Sequence, residues 1–165
     1  MISCYNNHMT KKATKSKPSA ITNRRAKFDY ALDDELVVGV SLTGLETRAA
    51  RDGHVQLKGS FVTIRNNELW LNNASFSIKL NERGQIGARS IDTTPKKLLA
   101  KRKQIDSLSQ RKQSGMNIIP LKMLIGGRYI KVVIALGKGK KDYDKRETLK
   151  RRDQERESNR AIKNI

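Results

Sequence analysis

Lys138, Lys140 and Lys141 lie within four residues, and Asp144-Lys145-Arg146 follows after a gap of two. Lys150, Arg152 and Arg156 come next, with no histidine or cysteine among them. Ammonium and guanidinium groups at this density do one kind of chemistry: they neutralise a polyanion and release its counterions. Asn23-Arg24-Arg25, Arg48 and Arg51 in TGLETRAAR (43–51), and Lys97 offer the same chemistry elsewhere in the chain. No catalytic set is arguable. Gly137-Lys138-Gly139 lacks the strand–loop–helix spacing and the following Ser or Thr of a phosphate-cradling loop. No Ser/His/Asp or Cys/His arrangement and no carboxylate pair stands out, which counts against an RNA-acting enzyme. His8 and His54 are far apart, and Cys4 is the sole cysteine, so neither a disulfide, a zinc site nor a cofactor is expected. A reducing cytoplasm fits that cysteine usage.

The chain has 165 residues, room for one ordinary domain and loose ends. Thirty-five basic residues face sixteen acidic ones, a net charge of +19. A field of that size implies a polyanionic partner, either nucleic acid or an anionic membrane surface. No apolar run approaches the ~20 residues of a membrane span, and no secretory core is visible at the N-terminus. A monomer without a membrane partner is expected.

Residues 1–22 carry Lys11, Lys12, Lys15 and Lys17 among Ser, Thr and Ala, a flexible basic arm. Met9 opens MTKKATKSKPS and is expected to be the natural start, with residues 1–8 an upstream extension. A barrel-sized body is expected over 23–137. Residues 27–32 and 36–43 read as strands, and 43–51 as a short helix stopped by Gly53. Strands 60–65 and 68–71 flank Asn66-Asn67, a turn that puts Arg65 opposite Glu68, Ile64 opposite Leu69 and Val62 opposite Leu71. A second hairpin is expected over 117–136, turning at Gly126-Gly127. It pairs Met123 with Ile130, Leu121 with Val132 and Ile119 with Ile134, so that one face is core. Pro120 there argues for a strand edge. Between the hairpins, Thr94 as N-cap, Pro95 at the first position and the stripe Leu98, Leu99, Ile105 and Leu108 predict a long basic helix ended by Gly115. Short antiparallel strands with few helices predict a mainly β fold, a small OB-type barrel with flanking helices.

The tail, 138–165, holds eleven basic and six acidic residues. Asp142 with Arg146, Glu147 with Arg151, Asp153 with Arg156 and Glu157 with Arg160 sit at helical spacing. Without an apolar face such a helix is marginal alone, so the tail is expected to be disordered when free and helical when bound. Lys145, Arg152, Arg156 and Arg160 would then line one side. On charge alone a solubility tail fits equally well.

The stretches NRRAKFDY (23–30), GLETRAARDG (44–53), KKLLAKRKQIDSL (96–108), IIPLKMLIGGRYIKVVIALGKGKK (118–141) and DKRETLKRRDQERE (144–157) resemble the SsrA-binding protein family, also called small protein B. The resemblance spans roughly residues 18–160. It implies an OB-type barrel that binds the tRNA-like domain of transfer-messenger RNA and delivers it to stalled ribosomes for trans-translation. It also implies a C-terminal tail that becomes helical in the empty messenger channel. Asn23, Arg24 and Arg25 match the family's basic motif and are expected on transfer-messenger RNA, with Lys138, Lys140 and Lys141. Glu46 matches the Glu of the GxExxxxR helix and is expected to touch RNA or, preferably, to orient Arg48 and Arg51. Lys97, Leu98 and Leu99 match the start of the basic helix. Asp144, Lys145 and Arg146 match the tail triplet used on the ribosome, followed by Lys150, Arg152 and Arg156.

Two departures stand out. Thr93-Thr94-Pro95-Lys96 replaces an Arg-x-Arg-Lys run, and Gln154 stands where the tail often has an aromatic. Trp70, the only Trp, reads as hairpin packing rather than base stacking. A structural ribosomal protein, or a general basic RNA binder, is the alternative that composition leaves open.

Overall fold

The computed structural model describes residues 19–79, 89–112 and 115–163. In chain order these form β1 (Ala20–Thr22), α1 (Ala26–Asp29), β2 (Tyr30–Val40), α2 (Gly44–Arg51), β3 (Val55–Gln56), β4 (Phe61–Arg65) and β5 (Glu68–Asn72). Then follow β6 (Ser75–Lys79), β7 (Arg89–Asp92), β8 (Lys96–Leu99), α3 (Arg102–Arg111), β9 (Met116–Leu124), β10 (Lys131–Gly139) and α4 (Asp142–Lys163). The strands β9, β10, β2, β8, β5 and β4 hydrogen-bond in that order, and Val62 of β4 returns to Ile118 of β9. The expected barrel is therefore present, six-stranded, antiparallel and closed, with β1 added along β9. Closure leaves no barrel edge open to another chain. β3, β6 and β7 form a separate small sheet.

The barrel interior is filled by Leu69, Leu71, Ile118, Met123, Val132 and Ile134, all fully buried. Each side chain of this kind contributes about 1.5–3 kcal/mol by leaving water. Opposite them, Ile119, Leu121 and Ala135 pack with Ala26 of α1, against Tyr30 and Leu32. β9 and β10 thus bury both faces, where one was expected. Gly137 sits in that second cluster. A Cβ there would lie 2.9 Å from Ile119 Cδ1 and 3.1 Å from Tyr30 Cβ, so the strands approach this closely only over glycine.

The Asn66-Asn67 hairpin forms in the expected register, with both asparagines at positive φ, 48° and 60°. The second hairpin forms in a different register. Val132 faces Met123, and after a bulge Ile134 faces Pro120 and Ala135 faces Ile119. The turn is wider than Gly126-Gly127 because Ile125 and Gly126 donate their backbone N–H groups to Ser19 O, at 2.9 and 3.2 Å. Ser19, just before β1, thereby takes the Ile125 N–H that a tight turn would have used. Pro120 lies on β9 between the part paired with β1 and the residue paired with β4, a local edge on that side.

The two strands expected at 27–32 and 36–43 are one. Residues 26–29 make a single helical turn, and β2 then runs through Asp33, Asp34 and Glu35 without a break. Arg111 of α3 reaches Asp33 at 2.6 Å and Asp34 at 3.1 Å, and Lys122 faces Glu35 at 3.6 Å. The long helix from Thr94 is also corrected. Residues 96–99 are strand β8 between β2 and β5, and the helix begins only at Arg102. Leu98 points into the core and Leu99 is 55% exposed, an alternation of period two. Gly115, at φ 81°, precedes β9, and α3 ends at Arg111. The basic arm lies outside the described residues up to 18, and its last residues, 20–22, are strand β1. The tail is a continuous 22-residue helix, Asp142–Lys163.

Candidate nucleic-acid interface

β10 runs antiparallel to β2, with Lys138 opposite Ala31 and Gly139 opposite Tyr30. This register brings the GKGKK segment beside α1. Lys140 donates its backbone N–H to Asp29 O at 2.9 Å and its ammonium to Lys27 O at 3.2 Å, across 113 residues of sequence. Arg24 and Arg25 precede α1 and are exposed. Arg25 stands at the N-cap position and pairs with Asp29 at 3.3 Å, its side chain still 57% exposed. Arg24, Arg25, Lys138, Lys140 and Lys141 therefore share one end of the barrel. Asn23 is different. Its backbone N–H donates to Leu121 O at 2.7 Å and its Nδ2 to Pro120 O at 3.0 Å, and the residue is buried.

The tail helix leaves from that same end. Asp144 accepts the backbone N–H of Lys141 at 3.2 Å, and Asp142 faces Lys145 at 3.7 Å. Two carboxylates in the first turn also suit the positive end of the helix dipole. Arg156 pairs with Asp153 at 3.4 Å, the spacing expected for them. Arg146, Lys150, Arg152 and Arg156 are exposed, and from Leu149 to Ile162 every side chain faces solvent. At 1.5 Å per residue the helix extends about 33 Å.

The other end of β10 lies about 27 Å away, eight strand rises of ~3.4 Å. Here α2 is fixed by a reciprocal cap. Thr43 Oγ1 accepts the Glu46 N–H at 3.4 Å, and Glu46 Oε2 accepts the Thr43 N–H at 3.0 Å. Glu46 Oε1 accepts from the Lys96 ammonium at 2.8 Å, and Asp92 Oδ2 accepts from it at 2.7 Å. Thr94 Oγ1 is a third partner, and the ammonium lies 5.7 Å from the Phe76 ring centroid. The Lys96 hydrogen bond holds the Asp92 carboxyl far below the usual carboxylate range, helped by the Thr94 backbone N–H. Burial pulls the Lys96 ammonium down, but its bonds to Asp92 and Glu46 outweigh this and raise it above the ordinary lysine value. Glu46 thus faces inward and ties α2 to β8, while Arg48 and Arg51 project from the helix's exposed side.

Arg51 also donates to Arg128 O at 3.3 Å. Arg128 lies 5.4 Å from the ring of Tyr129, which is 69% exposed, and exposed Lys131 follows. Sequence reasoning takes this cationic, aromatic surface only for a turn, although a tyrosine between Arg and Lys beside Gly-Gly is a usable signal. Lys97 pairs with Glu68 at 2.5 Å, and its backbone O accepts the Ser41 N–H at 2.9 Å. Trp70, half-buried on β5, faces Thr63 and Lys97 across the sheet.

The SmpB protein family model matches residues 20–164. An SsrA-binding protein of Shouchella clausii is 45% identical over 142 residues, 86% of this chain and 89% of that one. One of Streptococcus thermophilus is 41% identical over 144 residues, 87% of this chain and 92% of that one. The chain belongs to the SmpB family. Among solved structures, one described as "tmRNA-SmpB: a journey to the center of the bacterial ribosome" matches with TM-score 0.59 and 32% identity, covering 76% of this chain and 87% of that one. The SmpB match takes in both cationic ends of the barrel and α4.

Proposed function

We propose that this SmpB-family chain binds the tRNA-like domain of transfer-messenger RNA and brings it to stalled ribosomes for trans-translation. The observation that carries this reading is the two-ended barrel. Cations and an exposed tyrosine at one end of β10 are separated by about 27 Å from a second cationic group that continues into a helix. One molecule can therefore hold RNA with its barrel and offer a separate basic rod to the ribosome. Arg24, Arg25, Arg48, Arg51, Lys138, Lys140 and Lys141 supply phosphate contacts. Glu46 acts by fixing α2. Lys145, Arg146, Lys150, Arg152 and Arg156 track ribosomal RNA in the empty messenger channel, with Asp144 shaping the start of the helix. The chain supplies positioning and charge neutralisation and no catalytic residue, and it works in the cytoplasm.

The test is binding of the full chain to the tRNA-like domain in about 200 mM salt, where non-specific phosphate contacts fade, with ordinary tRNA as competitor. Strong preference for the tRNA-like domain is expected. Equal binding of both RNAs would reduce the barrel to a general polyanion binder.

A further inference from the structure

A cavity of about 490 Å³ opens beside the Arg24–Arg25 end, between α1 and β4. Asn23, Arg25, Asp29, Lys58, Phe61 and Asn117 are among its lining residues. Its volume falls within the range of small-ligand sites. Asn23 is 8% exposed, and its backbone N–H and side-chain amide are both bonded to β9. Its Oδ1, however, is buried with no hydrogen-bond partner among the described residues. A buried carbonyl oxygen left in that state costs on the order of 1–3 kcal/mol, which a donor reaching it from the cavity would relieve. Phe61 is 45% exposed at the wall, a large apolar ring otherwise unexplained on the surface of a basic chain. Lys58 is exposed beside it, and Arg25 stands at the cavity as well.

We propose that this cavity takes one unpaired nucleobase of a bound RNA. The base stacks on Phe61, donates an N–H to Asn23 Oδ1, and has its phosphate held by Lys58 and Arg25. Unstacked bases read by an aromatic face and edge hydrogen bonds are the usual means of sequence-specific RNA recognition. Asn117 also lines the cavity, as does Asp29, which pairs with Arg25 at 3.3 Å. Guanine, whose edge carries adjacent N–H donors, is the base used to probe an acceptor of this kind. The site rests on the RNA-binding reading above and deepens it, since Asn23 enters the interface only through this oxygen.

Two measurements test it. First, the Asn23 side-chain amide resonances of the full chain are followed by NMR during titration with GMP and, separately, ribose 5-phosphate. A saturable shift with GMP alone is expected. No shift with either, or equal shifts with both, overturns the base site. Second, Phe61→Ala, Phe61→Trp and Lys58→Ala are compared for binding to the tRNA-like domain and to ribosomes. Loss of a stack predicts about tenfold weaker binding for Phe61→Ala with an unchanged salt slope, and recovery with tryptophan. Lys58→Ala should lower the salt slope by about one. Loss on the tRNA-like domain places the base in that RNA, and loss only on ribosomes places it in ribosomal RNA. Phe61→Ala binding both as the wild type does overturns the proposal. Failure of the wild type itself to prefer the tRNA-like domain would instead strike the functional reading.

Discussion

Lys96 is the residue on which the second end of the barrel depends. Its ammonium satisfies Glu46 and Asp92 in a space where its side chain is 7% exposed. Removing it leaves two carboxylates without their counterion, and breaking a buried pair typically costs about 3–5 kcal/mol. Lys96→Ala should lower the urea midpoint by a corresponding amount, and a change below about 1 kcal/mol would mean that water already solvates the pair. The same site sets an acid limb. The Asp92 carboxyl is depressed in the folded state, so its stabilisation is present above the ordinary carboxylate value of about 3.9 and is lost as pH falls towards the folded value. Asp92→Asn should flatten the loss of thermal stability below about pH 4, and an unchanged acid limb would remove Asp92 as its source. Gly137 is decided by space alone. Gly137→Ala puts a methyl group 2.9 Å from Ile119 and should cost about 1–3 kcal/mol by overpacking, measured by denaturant unfolding. The sequence shows Thr94, Lys96 and Glu46 but not that they meet, because they are brought together only by the pairing of β8 and the docking of α2.

At the scale of elements, local signals are legible wherever one element decides its own form. The Asn66-Asn67 turn sets its hairpin because both residues tolerate positive φ. α2 is legible from its composition and Gly53, and Thr43-x-x-Glu46 spells a capping box that adds a start signal of its own. Thr43→Ala should cost about 1 kcal/mol of stability, and no loss would mean that Lys96 alone holds the helix. Residues 96–99 look helical because Leu98, Leu99, Ile105 and Leu108 happen to fit a helical stripe. The strand forms because β2 and β5 would each leave one edge unpaired without it, which no local pattern announces. The wide β9–β10 turn has a similar cause, since Ser19, just before β1, takes the Ile125 N–H that the tight turn required. α4 is legible as helical in its charge spacing. The exposure of its side chains from Leu149 to Ile162 accords with a rod meant for another molecule.

At the scale of the whole molecule, β10 joins two surfaces that the sequence shows as separate clusters of cations. Arg24→Ala with Arg25→Ala should lower the salt slope of transfer-messenger RNA binding by nearly two, at about 0.9 for each phosphate no longer neutralised. An unchanged slope would take both residues out of the interface. On the proposed reading, RNA capture by the barrel and engagement of the ribosome by the tail are separate steps. That separation is tested by the rescue of stalled ribosomes by Lys145→Ala with Arg146→Ala, read beside its affinity for the tRNA-like domain. Near-normal affinity and abolished rescue are expected. Weakened affinity, or rescue at the wild-type level, would show that the two steps are not divided between barrel and tail.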